Sequence, residues 1–312
     1  MVSKKPFFHL PLTVYHLPLF RDFVLKNYLK LLRPQQWIKN AFVLIPAFFA
    51  AKINLLFVDY KIVAALASFC AIASAVYILN DIFDFEKDKL HETKRARPIT
   101  SGAVSISKAA ALGVLLVAVS FCLALLVNQT FLLIVLGYFA LNIFYTLRLK
   151  HISLIDISCI ALGFILRVLA GGAAAGVAVS KWLILMTFLL ACCLALGKRR
   201  DDLLLDVEKE QLRPSLKGYT LEFVDTCLVV LVATTIVCYI MYTVSEEVVA
   251  RLDSEHVYLT SIFVVIGVLR FLQIAIVEHR SSSPTQILYN DRMIQTMILL
   301  WIAAFLILLY AV

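Results

Sequence analysis

Charge is scarce in this chain. Asp, Glu, Lys and Arg make up only 16% of its 312 residues, hydrophobic residues 62%, and the mean hydropathy is +0.91. A soluble globular domain is excluded by that balance. The first thirty residues lack both a continuous apolar run and a small-residue cleavage site, which excludes a cleaved signal peptide. Metal-ligand and redox spacings are missing too. All seven cysteines (Cys70, Cys122, Cys159, Cys192, Cys193, Cys227 and Cys238) stand in apolar runs and read as small core residues. No nucleic-acid partner is expected.

What is present is long apolar blocks. A hydrocarbon layer of about 30 Å takes roughly 20 helical residues to cross. On that scale nine spans are predicted: 37–57, 61–80, 108–127, 130–147, 153–173, 181–198, 222–244, 257–276 and 293–311. The expected fold is all-α, a polytopic membrane bundle of about nine helices. Residues 1–30, with Lys4, Lys5, Arg21, Lys26 and Lys30, read as an interfacial segment ahead of a transmembrane catalytic domain over 31–312. With the amino end inside, 23 of the 29 Lys and Arg fall on inner segments, four on outer loops and two in spans. The positive-inside rule then sets the amino end in the cytoplasm and the carboxyl end outside.

That orientation gathers the chemistry-capable residues on one side. Asn80, Asp81, Asp84 and Asp88, in NDIFDFEKD, stand at i, i+1, i+4 and i+8 of a continuing helix and share a face, while Glu86 turns away. Carboxylates crowded on one face repel unless a cation lies among them. Oxygen-only ligands suit Mg²⁺ shared with a phosphorylated substrate. Six residues on, Lys94, Arg95 and Arg97 reverse the sign before Pro98. The bland alternative is a solvated helix end.

Further polar groups join them. In LLRPQQWIKN, Gln36 and Asn40 share a helix face beside Lys39, and Trp37 reads as a membrane anchor. In KRRDDLLLD, Asp202 and Asp206 stand at i, i+4 with Lys198 one turn earlier, which an intrahelical ion pair would also explain. Arg167 lies well inside a span, where a cation needs a wet cavity or a partner; Asp156 or a carboxylate of another span would serve. Tyr145, Arg148, Lys150 and Asp156 form the next inner loop, and Asp291 with Arg292 opens the last span.

The motif NDIFDFEKD at the end of a second span resembles the first Asp-rich motif of the UbiA superfamily of intramembrane prenyltransferases. RPQQWIKN, KRARPITSG, YTLRLKHISLIDI, GFILRVLAGG, KRRDD and the closing Pro284–Arg292 segment resemble its decaprenyl-phosphate phosphoribosyltransferase branch. Glu92 stands where that branch commonly has Pro, Asp202 where it often has Glu, and the extension before Leu31 has no counterpart. The resemblance implies transfer of ribose 5-phosphate from phosphoribosyl diphosphate to a polyprenyl phosphate in a bacterial inner membrane, and leaves a homo-oligomer open.

On that reading Asn80, Asp81, Asp84 and Asp88 would hold Mg²⁺ on the leaving diphosphate. Lys39, Lys94, Arg95 and Arg97 would grip phosphate oxygens, and Lys198 and Arg199 would bring up the anionic acceptor. Gln36, Asn40, Tyr145, Lys150, Asp156, Arg167 and Asp202 complete the expected substrate site. The nearest rival is transfer of a polyprenyl group to an aromatic acceptor. A transporter of anionic solutes is the rival of another class, disfavoured because the charges gather at one face.

Overall fold

The computed structural model describes residues 17–50, 59–90, 93–204, 214–280 and 284–310. Helix α1 (Leu17–Leu32) leads into a 3-10 run, Pro34–Val43, and the short α2 (Ile45–Phe49). Then come α3 (Tyr60–Phe83), α4 (Phe85–Lys89), α5 (Ile106–Val127), α6 (Gln129–Leu147), α7 (Ile155–Ala175) and α8 (Lys181–Leu204). The last part holds α9 (Leu221–Thr243), α10 (Glu246–Leu252), α11 (Ser261–Ile276), α12 (Pro284–Asn290) and α13 (Arg292–Tyr310).

Among the described residues seven helices are long and apolar enough to cross a membrane: α3, α5, α6, α7, α8, α9 and Glu255–Ile276, which ends in α11. The protein is therefore an integral membrane protein of the all-helical kind. The count of nine is not reproduced. The expected first span, 37–57, opens as the 3-10 run and α2, and residues 51–58 lie outside the described set. The apolar part of the last, Arg292–Leu308, is shorter than the others.

Lipid does not drive helices together by hydrophobicity, so close packing and internal hydrogen bonds must. Helix α3 is the centre: 67% of its apolar window is buried, against 17% for α5. Ser68 and Ser120 join these two by reciprocal bonds, each hydroxyl donating to the other's carbonyl oxygen at 2.9 Å. The 3-10 run crosses α7 at Gly171, where a Cβ would lie 2.0 Å from the Val43 carbonyl oxygen. Only glycine permits that approach.

Helix starts are capped from the sequence. Asp59 accepts from Lys61 N–H at the head of α3, and Asn128 accepts from Phe131 N–H at the head of α6. Helix α1 lies over the far end of α3, with Tyr28 and Leu31 packed among Ile78, Ile82 and Ile99. It ends at Arg33, a left-handed residue (φ 51°, ψ 57°) directly before Pro34.

Candidate active site

The end of α3 sets the first half of the site. The helix does not continue through NDIFDFEKD; it breaks at Asp84, whose N–H still donates to the Asn80 carbonyl oxygen at 2.9 Å, and restarts as α4. The shared face survives the break. Arg97 Nη1 donates to Asp81 Oδ1 at 2.9 Å and to Asp88 Oδ2 at 2.5 Å, so both carboxylates converge on one point. Arg33 Nη2 reaches the same Asp81 oxygen at 2.5 Å, and its guanidinium lies over the Tyr77 ring. Lys150 Nζ donates to Asp84 at 2.6 Å, and Thr146 Oγ1 to the Asn80 amide oxygen at 2.5 Å. Glu86 turns out into the surroundings, 80% exposed, and among the described residues pairs with Lys89 one turn on.

The basic cluster divides. Arg97 points in to the carboxylates, Lys94 is half-buried and Arg95 is exposed. Arg33, absent from the expected site residues, binds a carboxylate 48 residues away, and no local pattern announces such a pair. His151, beside Lys150, was also missed. Burial and then the charges of Lys87 and Lys150 hold its imidazole below the usual histidine range.

Deeper in the bundle, Arg167 donates to the Asn40 side-chain oxygen (2.9 Å), the Gly163 carbonyl oxygen (2.9 Å) and the Tyr138 hydroxyl (2.8 Å). None of these is a carboxylate, so the alternative of a pairing with Asp156 is not what is observed. Asp156 and Arg167 are eleven residues apart on α7, about 16 Å along the axis, too far for an ion pair. The charge is instead lodged among Phe69, Tyr138 and Phe164 rings. Lys39 lies within electrostatic reach of both Arg167 and Arg33. Asn40 also donates to the Cys70 sulfur, and Gln36 is half-buried on the same 3-10 run.

The second half is closed. Asp156 is fully buried and accepts from Arg199 Nε (2.7 Å), Tyr219 hydroxyl (2.9 Å), Ser215 hydroxyl (3.2 Å) and Ile157 N–H (2.8 Å). Arg199, 1% exposed, also reaches Asp202 at 3.5 Å and lies within electrostatic reach of Tyr145. Leu154 adopts φ 66° just before α7 and donates its N–H to the Tyr219 hydroxyl at 2.6 Å. Burial pushes the Tyr219 hydroxyl far above its usual pKa, so it remains a donor to Asp156.

Arg199 is thus committed to an internal carboxylate, whereas Lys198 is half-buried one residue earlier. Arg200, about 100° around the helix, serves other neighbours: Asp225 at 2.6 Å, the Ala275 carbonyl oxygen and His279. Asp206 and Glu92 lie outside the described residues. Asp291 caps α13 by accepting from Ile294 N–H, and its hydrogen bond with Arg270 holds it below the usual carboxylate range.

The donor set suits a hard divalent cation: three carboxylates and one amide oxygen, with two carboxylates already aimed at a shared cationic atom. Among the described residues no three acidic, His or Cys side chains close on one point, so substrate oxygens would have to complete such a site.

Ion networks thus gather at one end of an apolar, membrane-spanning bundle, fed by α3, α6, α7 and α8. The chain belongs to the UbiA prenyltransferase family, whose model matches residues 41–289. It is 32% identical over 286 residues to the decaprenyl-phosphate phosphoribosyltransferase of Mycolicibacterium smegmatis, covering 88% of this chain and 89% of that one. The enzyme of the same name from Corynebacterium glutamicum is 31% identical over 90% of this chain and 86% of its own. In fold the chain is similar to a UbiA homologue from Archaeoglobus fulgidus bound to DMAPP and Mg²⁺. The TM-score is 0.69 at 22% identity, covering 92% of this chain and 100% of that one.

Proposed function

We propose that this protein transfers a 5-phosphoribosyl group from phosphoribosyl diphosphate to a membrane polyprenyl phosphate of the decaprenyl type, releasing diphosphate, with Mg²⁺ required. The observation that carries the reading is similarity along nearly the whole chain to phosphoribosyltransferases of that kind. The site's charge agrees with it. Arg33, Lys39, Arg97, Lys150 and Arg167 are more cations than three carboxylates need, as expected for a donor that brings both a diphosphate and a 5-phosphate.

In the reaction the C1–O bond to diphosphate breaks and a bond forms from C1 to an oxygen of the lipid phosphate. That nucleophile is already an anion, so no strong general base is required. Asp81, Asp84, Asp88 and Asn80 would hold Mg²⁺, which when bound would supply charge neutralisation to the departing diphosphate. Arg33 and Arg97 are placed to exchange a carboxylate for a phosphate, a charge-assisted and geometrically matched contact. Lys150 holds Asp84 in place. Lys39 and Arg167 favour an anion further in. The distribution of Lys and Arg supports a site on the cytoplasmic face, and the bacterial relatives support an inner membrane.

The second reading, prenyl transfer from a prenyl diphosphate, is favoured by the family's name and by the diphosphate seen on the archaeal homologue. Purified protein, Mg²⁺, radiolabelled phosphoribosyl diphosphate and polyprenyl phosphate separate the two. Label should move to the lipid extract. Phosphoribosyl diphosphate with Mg²⁺ should also raise the melting temperature more than farnesyl diphosphate does. Unlabelled lipid together with prenyl transfer to an aromatic acid would replace the first reading with the second.

A further inference from the structure

Helix α1 lies ahead of residues 41–289, the stretch that the family model matches, and the proposed chemistry uses none of its side chains. Its described residues divide the helix surface into three stripes. Asn27 and Leu31 are buried and Tyr28 is half-buried, so the first stripe faces the end of α3. Leu25 and Leu29 are exposed, 57% and 49%, and stand one turn apart on the second. Lys26 and Lys30, also exposed and one turn apart, form the third, about 100° further round. Leucines and lysines therefore flank the inward stripe on opposite sides. Beside Ile78 and Ile82, where α3 comes to its end, this turns the leucines towards hydrocarbon and the lysines towards headgroups.

The last residues of α1 tie it to the site. The Leu32 carbonyl oxygen accepts from Ser74 Oγ at 2.8 Å, and Trp37 Nε1 donates to the same hydroxyl at 3.0 Å. Between these two anchors the chain turns at Arg33, which is left-handed although it precedes a proline, a place where extended backbone is preferred. Such a conformation persists only while its surroundings hold it. On the α1 side the described hold is thin: one buried leucine, a half-buried tyrosine and a polar amide. Arg33 in turn sets Nη2 on Asp81 at 2.5 Å. Whatever fixes α1 thus fixes a cation of the site.

We propose that α1 is a docking surface for anionic phospholipid headgroups, and that docking through Lys26 and Lys30 holds the turn that places Arg33 at Asp81. The occupant is the anionic leaflet itself. Its charge complements the lysine stripe, and every lysine near such a surface adds to the attraction. Its hydrocarbon receives Leu25 and Leu29. A second copy of this chain would bring like charge to the stripe, since the net charge is +8.

The test uses the full-length protein in nanodiscs of phosphatidylcholine alone and of phosphatidylcholine mixed with phosphatidylglycerol. Hydrogen–deuterium exchange over residues 25–33 should slow roughly tenfold in the mixed discs, and added salt should reverse most of the slowing. Lys26→Gln/Lys30→Gln should exchange in both discs as wild type does in phosphatidylcholine. Lys108→Gln/Lys217→Gln, which removes two exposed lysines elsewhere at the same end of the bundle, is the control and should slow as wild type does. Donor kinetics, which rest on the proposed phosphoribosyl transfer, should follow the same order. KM for phosphoribosyl diphosphate should fall several-fold in the mixed discs for wild type and stay unchanged for the Lys26/Lys30 variant. Arg33→Gln should keep the slowed exchange and lose the KM response. Equal exchange in both discs, slowing that survives loss of both α1 lysines, an equal loss in the control pair, or a KM response that persists in Arg33→Gln would each overturn the proposal. Exchange needs no turnover, so wild-type protein that ignores phosphoribosyl diphosphate would defeat the functional reading while the docking surface is judged by exchange alone.

Discussion

The two acidic centres of this bundle are built from the same residue types and behave as opposites. Around Asp81 and Asp88 the partners, Arg33 and Arg97, are about a quarter exposed and arrive on segments outside the helix that carries the carboxylates. Around Asp156 nothing is open: carboxylate and guanidinium are 0% and 1% exposed, and two hydroxyls complete the acceptor's shell. An ion pair at a mouth can trade one member for a substrate phosphate or a metal. A sealed pair cannot, because either charge left alone in the interior would face its full desolvation cost. The first centre is therefore suited to chemistry, and the second to tying α7, α8 and the Pro214–Gly218 turn together.

Substitution should break this contrast in graded steps. The largest effect on stability belongs to Asp156→Ala. It strands Arg199 and should destabilise by about 3–5 kcal/mol, read as a steep fall in melting temperature in detergent; a wild-type melt would mean the pair holds nothing. Asp81→Asn and Asp88→Asn should lower turnover by roughly a hundredfold or more, close to 3 kcal/mol of barrier, with a smaller stability loss than Asp156→Ala. If their melting losses matched it, the two centres would not differ in kind. Lys150→Gln, which frees Asp84, should weaken donor use about tenfold, measured as kcat/KM for phosphoribosyl diphosphate. Glu86→Gln should change stability by no more than about 0.5 kcal/mol and leave turnover nearly intact, since Glu86 is 80% exposed and its ion pair is with Lys89. A loss comparable to that of Asp81→Asn would show the shared face to be the wrong geometry.

The sequence made one helix legible and its partners much less so. Period and sign alone place Asp81, Asp84 and Asp88 together and Glu86 apart, because both are properties of a single helix. Across the break at Asp84, Asp81 and Asp88 still meet at Arg97, while Asp84 pairs with Lys150. Arg33 and Arg199 were a different matter. Their roles depend on which chain segments meet, over 48 and 43 residues, and spacing carries no trace of that. KRRDD shows the limit well: three consecutive cations look interchangeable, yet helical rotation sends Arg199 to Asp156 and Arg200 to Asp225. The expected first span, 37–57, is described only as far as Ala50, and that part departs from one regular helix for a related reason. Apolar composition around Ile38–Phe49 resembles a crossing, but Pro34, Pro46 and the tight approach to Gly171 favour a 3-10 run and a short helix.

The left-handed turn at Arg33 carries an experimental consequence. Backbone in that region is strained by about 1–3 kcal/mol for a residue with a side chain, whereas glycine adopts it freely. Most active-site arginines confound two questions when replaced, because the substitute alters the chain's path as well as its charge. Here Arg33→Gly removes the guanidinium and relaxes the turn at once, while Arg33→Lys keeps a positive charge and retains the strain. The pair forms a ready-made dissection of chemistry from architecture: activity that follows the charge and stability that follows the glycine would assign each to its own atoms.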